Sequence, residues 1–465
     1  MASNASEDQV PITFLVDKEK SRVLYAEAGK DFVDVLFSFL TLPLGTIARL
    51  IAKESNIEAV RFGCITSLYQ SVSDLGEEHL WNKTCKEMLL QPRNSMVAYC
   101  QKMKLNIDET ESLLYSCEDR TCQRENVYYV SIFSDQKCIC GKLLNVAWPQ
   151  SSSTENDFVN ETSSFIISDD LFMMPNLLGT SLNLLQELGV IDFDTIDKRT
   201  VNISKKEACF LFFFVYDILK LSLVSKTPLT DFIFKKEQLF HNLGPINLME
   251  SFIGNVEDPS DESKEMIVKV LRRKSNMQIL FVEAEENFAD FVFSLLTFPL
   301  GKVLQMLGRL SSIRCINNIY KSMTDLSSDR CFRSQHVKDR LSSPCIGLHF
   351  DIKNQILPIG AEISIHPSVK FVDPKSPNSG GFTRGPISFM VTDDLVVSPM
   401  SSISGLAYLE RMKVPLNDVE ESIISIGRKE GLSILKASLI STSALTNSLG
   451  LCILHQLFRE AYNHT

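Results

Sequence analysis

The sequence predicts an α+β fold of two tandem homologous domains, each a β-hairpin followed by helices, a further strand and a closing helix. Three observations predict it. Glu27 to Gly45 reads EAGKDFVDVLFSFLTLPLG and Glu283 to Gly301 reads EAEENFADFVFSLLTFPLG, identical at eleven of nineteen positions, a density that marks a duplicated unit. Strand-like alternation precedes each copy, and helical periodicity fills it. The 465-residue length suits two or more domains of roughly 100–200 residues each.

The elements follow in order. Ile12, Phe14 and Val16 alternate along the chain, Asp17 to Ser21 is polar, and Val23 and Tyr25 alternate again, the signature of a hairpin. IVKVLRRKSNMQILFVEA repeats it from Ile267. A helix comes next, with Asp31 and Asn287 as expected N-caps and with Asp34 and Asp290 as carboxylates of its first turn. Phe32, Val35, Leu36, Phe39 and Leu40 fall on one helical face, and Phe288, Phe291, Val292, Leu295 and Leu296 match them. Phe37 and Phe293 lie off that face, which predicts cover on a second side. Pro43 and Pro299 end the helix and Gly45 and Gly301 are read as turn residues. Short amphipathic helices are expected over 46–53 and 302–310.

Three more blocks recur in the same order: CITSLYQSVSDL with CINNIYKSMTDL, SFIISDDLFMMP with SFMVTDDLVVSP, and KLSLVSKTPLTD with KASLISTSALTN. The second of these predicts a buried strand stopped by Asp169-Asp170 or Asp393-Asp394 and feeding a loop or helix start. Residues 1–10 are expected as a disordered N-terminus, 11–240 as the first repeat domain with a cysteine-bearing loop over 115–142, 241–265 as an acidic linker, 266–455 as the second repeat domain and 456–465 as a C-terminal tail. The run ACFLFFFVYDIL before Lys220 has no counterpart of equal length in the second copy. It falls short of the ~20 apolar residues of a membrane span, so it is read as a buried helix, with a coding-sequence artefact over 209–217 as the other explanation.

A formal charge of −10 argues against a sequence-independent grip on nucleic acid, which needs Lys and Arg to neutralise phosphates. Arg272-Arg273-Lys274 is the one tight basic cluster and is expected on a solvated turn. MASNASEDQVP lacks the apolar core of a signal peptide, so an intracellular location, cytoplasmic or nuclear, and mostly reduced cysteines are expected.

Cys117, Cys122, Cys138 and Cys140, with Gly141 behind the last, place four thiols within a 24-residue span. Two short pairs separated by a strand-like stretch are what a closed, structural zinc site requires. The second copy has only Cys345 nearby, so the site belongs to the first copy alone. The Asp169-Asp170 and Asp393-Asp394 pairs are the other candidates, as metal ligands or as acid and base. The seven histidines occupy no matched positions, and no HExxH, GxSxG, Walker A or GxGxxG pattern is present.

FSFLTLPLGTIARL, CITSLYQSVSDL, CICGKLL and SFIISDDLFMMP, with FSLLTFPLGKVLQML and LKASLISTSALTN in the second copy, resemble the land-plant family catalogued as domain of unknown function 674. The resemblance runs from Ile12 to Leu451 and implies a plant source and a tandem-domain protein, without implying a mechanism. Cys138 and Cys140 fit a CxCG-type pair that members of that family look to share. A non-catalytic interaction or scaffold module with a protein partner is the reading these features favour, with no cofactor beyond zinc. The alternative is an enzyme using the strand-end Asp-Asp pairs at the interface between the copies.

Overall fold

Both hairpins form. The computed structural model describes residues 9–53, 60–96, 99, 114–119, 122, 127–148, 157–204, 208–234, 265–308, 310, 313–360 and 368–463; the expected linker over 241–264 and tail end at 464–465 lie outside them. In the first half, β1 (Gln9–Asp17) pairs antiparallel with β2 (Arg22–Gly29), Ile12 opposite Ala28 and Leu15 opposite Tyr25. Ile12, Phe14 and Val16 are buried, as their alternation requires. Helices α1 (Lys30–Thr41), α2 (Leu44–Ile51), α3 (Ile65–Asp74) and α4 (Lys83–Leu90) follow. Short strands β3 (Tyr115–Ser116), β4 (Tyr128–Ser131) and β5 (Val146–Ala147) carry the cysteine-bearing region. The half closes with β6 (Ser164–Ser168), β7 (Met173–Pro175), α5 (Leu178–Glu187), β8 (Ile196–Ser204), α6 (Ala208–Val224) and α7 (Pro228–Phe234).

The second half runs through β9 (Met266–Arg273), β10 (Ile279–Ala284), α8 (Glu286–Ser294), α9 (Leu300–Leu307), α10 (Arg314–Asp325) and α11 (Gln335–Ser342). Strand β11 (Val369–Phe371) precedes β12 (Phe389–Thr392), β13 (Val397–Pro399), α12 (Ser402–Arg411), β14 (Val419–Ile426), α13 (Arg428–Ile440) and α14 (Ala444–Asn463). The two large sheets have one strand order: β7-β6-β2-β1-β8 in the first half, β13-β12-β10-β9-β14 in the second. The chain is thus α+β, and each half repeats the path of the other.

Contacts between the halves are reciprocal. Pro43 and Pro299 face each other in an antiparallel bridge, the Leu44 N–H donating to Phe298 O and the Leu300 N–H to Leu42 O, both at 3.0 Å. Gly45 and Gly301 are not turn residues: each sits in the first turn of a helix, α2 or α9. Their constraint is the partner backbone, since a Cβ would stand 3.0 Å from Leu296 O at Gly45 and 3.0 Å from Leu40 O at Gly301. Past this junction, α3 packs against β13 and α10 against β7. The Cys64 thiol donates to Ser441 O and the Cys315 thiol to Ser225 O, at 3.0 and 3.1 Å. One hydrophobic core holds residues of both halves, and Phe37 finds its second-side cover in Phe332, stacked at 5.6 Å.

Several local expectations fail for physical reasons. Helices α1 and α8 begin at Lys30 and Glu286, so Asp31 and Asn287 fall inside the first turn and cap nothing. Asp34 and Asp290 do not face solvent at a helix end. They are buried, and each ties a distant loop to its helix: Asp34 accepts the N–H groups of Phe158 and Val159 at 3.2 and 3.0 Å, Asp290 those of Phe382 and Thr383 at 2.9 Å each. Arg272 is not on a solvated turn but 2% exposed in β9, paired with Glu420 at 2.6 Å. The apolar run before Lys220 lies in α6, where Phe214, Val215, Ile218 and Leu219 are buried. Among the described residues no helix is long and apolar enough to cross a membrane.

Candidate metal centre

The four cysteines arrive from two tight segments. Cys117 follows β3, and Cys122 lies one short turn on, its N–H donating to Asp119 O at 2.9 Å. Cys138 and Cys140 sit on a narrow hairpin closed by the Lys137–Leu143 bridge, with the Cys138 N–H on Lys142 O and the Gly141 N–H on Cys138 O, both at 2.8 Å. That hairpin needs Gly141 at φ +89, a conformation costly for any side chain. The glycine behind Cys140 is therefore the local sequence signal that turns two cysteines toward one point.

The thiols converge. Cys117 and Cys140 sulfurs are 3.5 Å apart, those of Cys122 and Cys138 3.7 Å, and all four lie within 4.8 Å of one another. A tetrahedral site with metal–sulfur bonds of about 2.3 Å has sulfur–sulfur edges of about 3.8 Å, so the two short pairs already match and the other edges, none above 4.8 Å, need only a small closure around an ion. It is the one such cluster of Cys, His, Asp and Glu among the described residues.

Electrostatics point the same way. The Lys142 N–H donates to the Cys140 sulfur and draws its thiol down to about 7. Burial pushes Cys117 up to about 11 against the N–H of Asp119, and the hydrogen bond with Cys140 leads the causes that raise Cys122 to about 12. The Cys140 sulfur therefore sheds its proton readily while Cys117 and Cys122 keep theirs, and a divalent cation would displace those protons. N–H groups two residues after Cys117 and Cys140 aimed at those sulfurs are the outer contacts that hold thiolates in place. An ion pair between Lys142 and Asp119 at 3.0 Å latches the two segments together.

This module has its own small cluster of Cys117, Cys138 and Leu144, packed by Tyr115, Tyr129 and Val372 and separate from the main core. Its four-stranded sheet runs β11-β4-β3-β5, and β11 comes from the second half, pairing parallel with β4 so that Val369 faces Tyr128. Nothing in the sequence signalled that strand or the Lys142–Asp119 latch. Beside the cysteines opens a cleft of about 440 Å³ lined by Ser116, Asp119, Tyr128, Val146 and Trp148, its two rings edge to face at 5.0 Å. The family described as Protein of unknown function (DUF674) matches residues 6–429. The chain belongs to that family. No curated protein and no solved structure matches it.

In this DUF674 chain the Asp-Asp pairs are placed differently from the cysteines. Each lies in the tight turn between two antiparallel strands, β6–β7 or β12–β13, and each turn puts the next residue in the left-handed region, Leu171 at φ +64 and Leu395 at φ +63. Asp169 accepts the N–H and hydroxyl of Thr230 at 2.8 and 2.6 Å, and Asp393 those of Thr446 at 2.8 and 2.9 Å. The first acid of each pair thus caps a helix far along the chain, α7 for Asp169 and α14 for Asp393. Burial lifts both carboxyls to about 6. Asp170 takes the Ser168 hydroxyl and Arg314, and Asp394 takes the Thr392 hydroxyl.

Proposed function

We propose that this protein is a non-catalytic interaction module, built from a duplicated unit, whose first repeat carries a structural zinc ion on Cys117, Cys122, Cys138 and Cys140. The convergence of four thiols at tetrahedral spacing carries the reading. Four protein sulfurs fill a tetrahedron and leave no position for substrate, which is the form of a structural rather than a catalytic zinc. Thiolate ligands suit a reducing, intracellular compartment. The aromatic cleft beside the cysteines is the surface this module would offer to a protein partner, since half-buried Tyr and Trp are favoured anchors.

The enzyme alternative rests on the paired acids. The raised protonation of Asp169 and Asp393 is accounted for by burial, and the oxygens of the pairs by threonine, serine and arginine contacts. The experiment compares partner capture by the full chain, by Cys138→Ser/Cys140→Ser and by Asp169→Asn/Asp393→Asn. The reading expects a defined protein partner that is lost with the cysteines and kept with the asparagines. Retention by the cysteine variant would reject it.

A further inference from the structure

The exposed apolar side chains are not scattered. Of the fifteen large hydrophobic residues exposed among the described residues, nine lie on two matched segments, the outer helix of each large sheet and the turn after it. The first carries Leu177, Leu178, Leu182, Ile191 and Phe193; the second carries Ile403, Leu406, Met412 and Leu416. Leu178 is 77% exposed, Ile191 97%, Ile403 81% and Leu416 72%. Underneath, both helices are already used: Leu185 of α5 packs on Leu24, Tyr25 and Ile166, and Tyr408 and Leu409 of α12 pack on Leu271, Phe281 and Met390. The outward stripes are surplus to the fold, and concentrated surplus of this kind marks a contact surface.

Their rims differ in sign. Between Asn176 and Thr195 the first segment bears Glu187, Asp192 and Asp194 and no lysine or arginine, with Lys18 and Arg22 of the adjoining hairpin at its edge, Arg22 donating to Leu188 O at 3.1 Å. The second bears Arg411 and Lys413, with Arg273 and Lys274 of its hairpin alongside, against Glu410 and Asp418. Asp418 is engaged by Ser275 and Arg273. Lys413 also holds a left-handed backbone, φ +52, at the turn where the first half has Gly189 at φ +71. A cation is kept there at a position a glycine would occupy with less strain.

We propose that these faces bind each other between molecules: the acid-rimmed face of one copy of this chain docks on the base-rimmed face of the next. Because the two faces are distinct, the contact is head-to-tail and does not close at a dimer; it extends the assembly by one copy at each step. The inference concerns a surface apart from the cysteine module and stands independently of the zinc reading.

Sedimentation velocity on the full chain tests it, with Leu182→Asp and Ile403→Asp as variants. The wild type should grow beyond a dimer with concentration and shrink as added salt screens the rims. Each variant alone should be monomeric. An equimolar mixture should form a dimer and nothing larger, because each molecule then has one competent face. A wild type that stays monomeric or stops at a dimer overturns the proposal, as does assembly surviving in either variant or a mixture that stays monomeric. Circular dichroism checks that the variants fold, and Glu187→Lys/Asp192→Lys replaces Leu182→Asp if it does not.

Discussion

The two halves share a scaffold and differ in what they hang on it. Both have the same five-strand order, a buried acid on the first helix, a tight Asp-Asp turn and a Pro-Leu-Gly junction. Among the described residues only the first builds a cysteine cluster, between α4 and β6. In the matching region the second half supplies β11, which completes the first half's small sheet. Repeated positions form much of the joint core, and the cysteine cluster is not among them.

The largest expected break in the comparison is at the cysteines. Cys117→Ser with Cys138→Ser should melt the 114–148 module, because structural zinc sites supply on the order of 10 kcal/mol to such small units. Limited proteolysis should then cut there while the main core persists. Cys345→Ser, the second half's nearest thiol, should leave the pattern unchanged.

At the junction the halves should instead behave alike. Gly45→Ala and Gly301→Ala each force a Cβ to 3.0 Å from a backbone carbonyl of the other half, a contact that costs roughly 1–3 kcal/mol to relieve. Chemical denaturation should find equal losses; a loss at one glycine alone would mean that the junction is not reciprocal.

The buried acids should shift in the same direction and differ in size. Burial raises both Asp34 and Asp290 to about 7 from 3.8. A folded value above the unfolded one gives stability that is complete below pH 3.8 and is lost as pH rises through about 7. Glu286 lies near Asp290, whereas Asp34 meets Lys30 at 3.2 Å. Asp290→Asn should therefore gain stability over the wild type at pH 8, by less at pH 5 and not at all below pH 3.8. Asp34→Asn should gain less at pH 8, because Lys30 gives up one carboxylate partner while keeping Asp157 at 3.1 Å. Urea midpoints at the two pH values decide it. Smallest of all, Arg314→Ala should cost under about 1 kcal/mol, since the Arg314 side chain facing Asp170 is largely solvated.

The hairpins, the first helix of each half and the cysteines that converge were legible because their signals are local: alternation, a 3.6-residue period, and closely spaced thiols ending on a glycine. What escaped is non-local. Asp34 looks like a first-turn carboxylate until Phe158 and Val159 arrive from far along the chain. Gly45 looks like a turn until Leu296 of the other half presses on it. The strand Val369–Phe371 carries too few residues to announce its partner. Matching sequences showed that the halves are alike, and only packing shows that each covers the other's sheet.

The central claim is that the cysteine module is organised by a metal ion. Elemental mass spectrometry of the purified, reduced full-length chain, beside Cys138→Ser/Cys140→Ser, tests it most directly. The account predicts about one zinc per chain, lost in the variant. A folded wild type without bound metal, or a variant that retains it, would contradict the account.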